Sequence, residues 1–136
     1  MTYGVGDGSF QAAGGEAGIR QLVDLFYELM DSRDIARAIR AMHPEDLTSS
    51  RDKLGAFLCG WLGGPKLYQA KYGSISIPGV HSHLKVDASA RDAWLAVMNE
   101  AVAAQDWAED FKLYLMQQLA VPAERVRIVS EQLHSS

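Results

Sequence analysis

An all-α fold is the prediction for this chain, and three observations carry it. Apolar residues recur at three- and four-residue steps along most of its 136 residues, the spacing that lines one face of a helix. Helix start and stop signals bracket those stretches, with Ser, Asp or paired glycines in front and Gly or Pro behind. The one alternating stretch, Ser74 to Ile77, has no second strand-like run to pair with.

The expected elements follow in chain order. The first helix runs from about Glu16 to Met30, with Ile19, Leu22, Val23, Phe26, Tyr27 and Met30 on one stripe behind Gly14-Gly15. Asp34 is placed to cap a short second helix carrying Ile35, Ala38, Ile39 and Met42. Pro44 then disfavours helical backbone at His43 and turns the chain. Ser49 with Asp52 three residues on forms a capping-box pattern. It opens a helix with Leu54, Phe57, Leu58, Trp61 and Leu62 inward and Cys59 off that face, stopped by Gly63-Gly64-Pro65. From Lys66 to Val80 the periodicity fades, which predicts an ordered loop, and so long an irregular stretch in a small domain points to function. Ser89 is the expected cap of the next long helix, which turns Trp94, Val97, Met98, Ala101 and Val102 inward. Asp106 is the expected cap of the last main helix, with Trp107, Phe111, Tyr114, Leu115 and Leu119 apolar. Pro122 is expected to end it, leaving a short turn through Val126 to Val129.

Composition narrows the function classes. The length fits one domain, read as residues 16–136 behind a glycine-rich flexible arm at 1–15, and 48% hydrophobic residues can build an ordinary core. No apolar run is long enough to span a membrane, and the start lacks the basic and apolar regions of a signal peptide. The cytoplasm is the expected compartment. Cys59 is the only cysteine, so neither an internal disulfide nor a cysteine metal cluster is available. Thirteen basic and 17 acidic side chains give a net charge of −4 without a Lys/Arg stripe, which argues against nucleic acid. No G-x-S-x-G elbow or H-E-x-x-H helix supports a hydrolase.

What remains is a helical chain with His81 closing a Gly/Pro-punctuated loop and Arg91-Asp92-Ala93-Trp94-Leu95 opening an apolar helix soon after. By residue chemistry alone His81 reads as a water-exposed loop histidine, Tyr27 and Trp94 as core aromatics, and His43 as a turn residue before proline. The order of Phe26-Tyr27, Pro44-Glu45-Asp46, Gly63-Gly64-Pro65, the histidine loop and the Trp94 helix changes that reading. From about Ala12 to Leu119 the chain resembles the group II truncated haemoglobins.

The resemblance implies a globin-like, two-on-two helical sandwich holding haem b. It implies His81 as the proximal iron ligand, with His83 the rival two residues on and His134 irrelevant in the tail. It places Tyr27, His43 and Trp94 in the distal pocket, where O–H and N–H donors slow the escape of a ligand that draws charge from iron. Tyr27 and His43 are also chemically able to bind iron themselves. Ser50 falls where larger globins often carry a distal histidine. Leu54, Phe57 and Met98 are implied as apolar haem walls. Many relatives have an arginine just before the proximal histidine; here that residue is Val80, so Lys53, Tyr68 and Lys71 become the candidates for pairing with the haem propionates.

The function so implied is binding of O2 and other diatomic ligands by a monomer or weak dimer, in oxygen transport or in redox turnover. Nitric oxide dioxygenase-like and peroxidase-like chemistry are both allowed and neither is fixed. With no flavin or reductase segment, turnover would take electrons from an external reductase. The competing reading is a cofactor-free helical interaction or regulatory domain, which would use the same stripes as core and leave His81 without a role.

Overall fold

The computed structural model describes residues 3–73 and 86–134, and every regular element among the described residues is helical. A short helix α1 (Gly8–Ala12) precedes α2 (Gly15–Ser32). A 3-10 turn at Asp34–Ala36 leads into α3 (Arg37–Ala41) and then α4 (Thr48–Trp61). After α5 (Leu67–Tyr72) come α6 (Ala88–Ala103) and α7 (Glu109–His134). Helix α2 packs on α4, α6 packs on α7, and α2 crosses α6, so two helix pairs enclose one core. No helix among the described residues is long and apolar enough to cross a membrane.

The first stripe is as expected: α2 buries Ile19, Leu22, Val23, Phe26, Tyr27 and Met30. The caps differ from expectation. Asp34 lies inside the 3-10 turn, preceded by Arg33. At α4 the satisfying group is Asp46, whose Oδ1 accepts from Thr48 N at 3.0 Å and Thr48 Oγ1 at 2.7 Å. Ser49 therefore lies within the helix, and Asp52 turns to side-chain partners instead. Asp87, not Ser89, caps α6 by accepting from Ala90 N at 2.8 Å. Helix α7 begins three residues beyond Asp106. At α6 two cap-forming residues, Asp87 and Ser89, stood within reach, and Asp87 takes the position.

Two larger departures shape the molecule. Part of the stretch expected as loop is helical in α5, whose six residues are too few to display a period. Pro122 does not end the last helix, because α7 continues through it to His134. An interior proline costs about 3 kcal/mol. The far half of α7 offsets that by tertiary contacts: Glu124 pairs with Arg91 of α6, and buried Ser130 accepts from Val86 N at 2.7 Å.

Within the stretch expected as a flexible arm, the described residues Tyr3 and Phe10 make contacts with the later helices. Tyr3 donates to Asp110 at 2.9 Å and sits 5.2 Å from the rings of both Phe111 and Tyr114. Phe10 N donates to Leu62 O at 3.0 Å. The glycines after α4 do more than stop it. A Cβ on Gly63, at φ +95°, would lie 2.0 Å from Gly6 O, and one on Gly64 would lie 2.4 Å from the Phe10 ring. Only glycine lets the N-terminal segment seat there.

Gly64→Ala should therefore lower stability by about 1–3 kcal/mol, the ordinary range for overpacking. Adding Phe10→Ala should recover part of that loss. Chemical denaturation of the four proteins measures both effects, and an unchanged Gly64→Ala midpoint would remove Phe10 from this contact.

Candidate functional site

Helix α4 carries two adjacent apolar stripes, and their division creates the site. Gly55, Leu58, Cys59 and Leu62 are spaced for one helix face, and all four are buried. Cys59, expected off the apolar face, is thus fully enclosed, and burial raises its thiol pKa. The second stripe is Leu54, Phe57 and Trp61, each only half-buried while packed at the edge of the core. Phe57 and Trp61 stack with ring centroids 5.9 Å apart. The sequence reading grouped these residues with Leu58 and Leu62 as one inner face. The helix instead shows a buried face to α2 and a bulky, partly covered face to one side.

The polar tips gather around Tyr27. Its ring is 4% exposed on α2, and burial pushes the phenol pKa up to about 12, with Arg51 opposing the rise. The Tyr27 hydroxyl donates to the backbone O of Ser50 at 3.5 Å, a contact at the outer limit of hydrogen bonding. Ser50 thus meets Tyr27 through its carbonyl. The His43 ring stands edge-on to Tyr27 with centroids 5.8 Å apart. Its Nδ1 lies 2.8 Å from Ile39 O. A carbonyl only accepts, so this nitrogen carries the proton, and in the neutral ring Nε2 is then a lone-pair acceptor. His43 would donate from Nε2 only as imidazolium, a condition the sequence did not reveal.

Trp94 reaches the same cluster through a residue that sequence reasoning left in the core. Phe26 makes edge contacts to Tyr27 at 5.0 Å and to Trp94 at 5.2 Å. Trp94 is half-buried on α6, and Met98, one turn on, is fully buried. Nothing in the spacing singled out Phe26, because every residue of the α2 stripe looks alike in sequence.

The candidates for propionate pairing separate. Lys71 is held by Asp52 at 2.8 Å. Tyr68 packs against Tyr72 with centroids 5.1 Å apart, and the exposed Lys53 ammonium lies 5.5 Å from the Tyr72 ring centroid. Asp52 is a junction that sequence read only as a helix-start acid. It also accepts from Tyr72 Oη and pairs with Arg20 of α2 at 3.4 Å. Hydrogen bonds from Lys71 and Tyr72 hold its carboxyl below the usual carboxylate range. His81, His83 and Val80 lie outside the described residues.

Comparison with known proteins identifies the family and the fold. The family model described as "Bacterial-like globin" matches residues 8–125. The chain is 36% identical over 88 residues to the Group 2 truncated hemoglobin YjbI of Bacillus subtilis (strain 168), a match covering 65% of this chain and 64% of that protein. It is similar to the solved Group II 2-on-2 hemoglobin of Agrobacterium tumefaciens, with TM-score 0.84 and 31% identity, covering 88% of this chain and 92% of that one. The truncated oxygen-avid haemoglobin of Bacillus subtilis superposes with TM-score 0.79 and 30% identity, covering 87% and 97%. With its two-on-two helix pairs and its aromatic cluster between α2, α4 and α6, the chain belongs to the bacterial-like globin family of haem-based gas-binding proteins, as a group II truncated haemoglobin.

Proposed function

We propose that this chain, through a domain spanning residues 16–136, holds haem b with His81 as the proximal iron ligand. It binds O2 and other diatomic ligands beneath Tyr27, Trp94 and His43. The supporting observation is the division of α4: a half-covered stripe of Leu54, Phe57 and Trp61 follows on the helix whose Ser50 carbonyl meets the Tyr27 hydroxyl, with His43 and Phe26 against the Tyr27 ring and Trp94 beyond Phe26. Such a stripe fits a flat apolar macrocycle, and the ring tips fit a small polar ligand held at its centre. When bound, the haem supplies an iron that coordinates diatomic gases and supports redox chemistry. Dioxygenase-like or peroxidase-like turnover, with an external reductase, belongs to this reading as an extension of it.

The residues of the chain then divide the work. Leu54, Phe57 and Met98 exclude water from the apolar faces. Tyr27 offers a hydroxyl that its 3.5 Å contact to Ser50 O leaves loosely engaged. Burial keeps that hydroxyl protonated at every physiological pH, so it acts as a donor. Trp94 supplies an indole N–H from α6, its orientation steadied by Phe26. His43, its Nδ1 proton turned to Ile39 O, serves as acceptor when neutral and as donor when protonated. Lys53 is the propionate partner least committed elsewhere, since Lys71 is bound to Asp52.

Three measurements check this reading. His81→Gly should lose the haem absorption spectrum while keeping its helices, and added imidazole should restore the spectrum. The same behaviour from His83→Ala, with His81→Gly unaffected, would move the ligand to His83.

Loss of one strong donor costs about 1.5–3 kcal/mol, roughly one to two decades in the O2 dissociation rate. Tyr27→Phe and Trp94→Phe should each speed release, and their double mutant should show coupling. Equal release rates in all four proteins would take both residues out of the ligand's reach.

The raised Tyr27 pKa also has a stability consequence. Its stabilising contribution is fully present below the ordinary tyrosine pKa of 10.0 and is lost as pH rises through about 12. Denaturation between those values should show a fall in stability that Tyr27→Phe lacks.

A further inference from the structure

We propose that Asp52 and Ser130 are positioning residues that fix the two ends of the chain carrying His81, and so set how firmly the haem is held. The inference rests on the assignment of His81 as iron ligand, and it concerns residues to which that reading gives no direct contact with haem or ligand.

At the entry, three elements meet on one carboxylate. Asp52 of α4 accepts from Lys71 Nζ at 2.8 Å and from Tyr72 Oη, both on α5. Arg20 of α2 donates to Asp52 Oδ1 at 3.4 Å and to the Asp52 backbone O at 3.3 Å, while its other amino group pairs with Glu16. Gly55 makes room for the guanidinium: a Cβ there would lie 2.5 Å from Arg20 Nη1. Tyr72 is the last residue of α5, so the carboxylate grips the chain where it leaves the helix. The Asp52 side chain is 28% exposed and that of Arg20 32%, against 61% for Lys71, so the Arg20 pair is the less screened of the two ion pairs.

At the exit, the anchor is a buried hydroxyl. Val86 N donates to Ser130 Oγ at 2.7 Å, and Ser130 is 3% exposed. Removing that oxygen leaves a partly buried backbone N–H without its acceptor, which is costly. One residue later Asp87 caps α6, and Arg91 in its first turn pairs with Glu124. Both Glu124 and Ser130 lie beyond Pro122, in the part of α7 that continues past the proline. That extension reaches back to hold the start of α6.

A metal ligand resists dissociation only as well as the chain on either side is held. Groups that hydrogen-bond a metal ligand directly typically change affinity by about 10–100-fold, and anchors acting through the chain are expected at the lower end of that range. Two anchors on either side of one ligand act on the same quantity, so their effects are expected to be coupled.

The test uses the haem-loaded protein. Asp52→Asn and Ser130→Ala should each release haem to an excess of apomyoglobin about tenfold or more faster than wild type. The iron–histidine stretching band of the ferrous protein should shift or broaden in both, which general destabilisation far from the haem would not cause. Asp52→Glu and Ser130→Thr should restore most of the retention. Wild-type haem loss and an unmoved stretching band in both variants would overturn the proposal while leaving His81 as ligand. If His81→Gly keeps the wild-type haem spectrum, the ligand assignment itself falls and the proposal with it. Should Ser130→Ala fail to fold, hydrogen exchange of the wild-type protein carries that half. A Val86 amide protected as strongly as the α6 core supports the anchor, and one exchanging like an open loop overturns it.

Discussion

The close approach of α2 and α4 is the constraint on which the rest of this molecule depends. The buried face of α4 combines the small residues Gly55 and Cys59 with Leu58 and Leu62. Arg20 lies across that face, its guanidinium seated where any Cβ on Gly55 would collide. Because that face goes to α2, the bulky residues Leu54, Phe57 and Trp61 cannot be fully covered by the same contact. The partly covered wall is therefore a geometric consequence of tight packing on the neighbouring face. Tyr27 belongs to both regions, since its ring is core and its hydroxyl reaches the Ser50 carbonyl at the start of α4.

A second level of organisation comes from residues that tie ends together. The N-terminal segment joins the start of α7 to the turn after α4 through Tyr3 and Phe10. Asp52 joins α2, α4 and α5, and Ser130 and Glu124 join the end of α7 to the start of α6. A small domain has little apolar surface to spare. Buried or half-buried polar links of this kind fix geometry where hydrophobic contact, which is non-directional, cannot. The proline inside α7 illustrates the trade: a local penalty is accepted because the helix beyond it makes contacts that nothing else supplies.

The electrostatics of the pocket follow from burial more than from charge. Tyr27 is kept neutral by desolvation, against the pull of Arg51. The hydrogen bond from His43 Nδ1 to Ile39 O fixes which ring nitrogen carries the proton. In the proposed ligand pocket, Tyr27 is the O–H donor that burial keeps protonated, with Trp94 and His43 as the other proposed polar residues.

The sequence by itself determined the helical class, the family, and the inward stripes of α2 and α6. These are properties of spacing and order, and periodicity survives without knowledge of partners. It did not determine that α4 has two faces with different fates, because Leu54 and Leu58 are equally apolar and only their neighbours distinguish them. Asp87 and Ser89 were both qualified to cap α6, and Asp87 takes the position. The length of α7 was decided by Arg91 and Val86, residues far from Pro122 in sequence, whose contacts outweigh the local preference for ending there. The proton position on His43, the role of Phe26 as a spacer between Tyr27 and Trp94, and the junction at Asp52 likewise belong to the tertiary structure. Each depends on which groups meet across helices, and no local pattern encodes such a meeting.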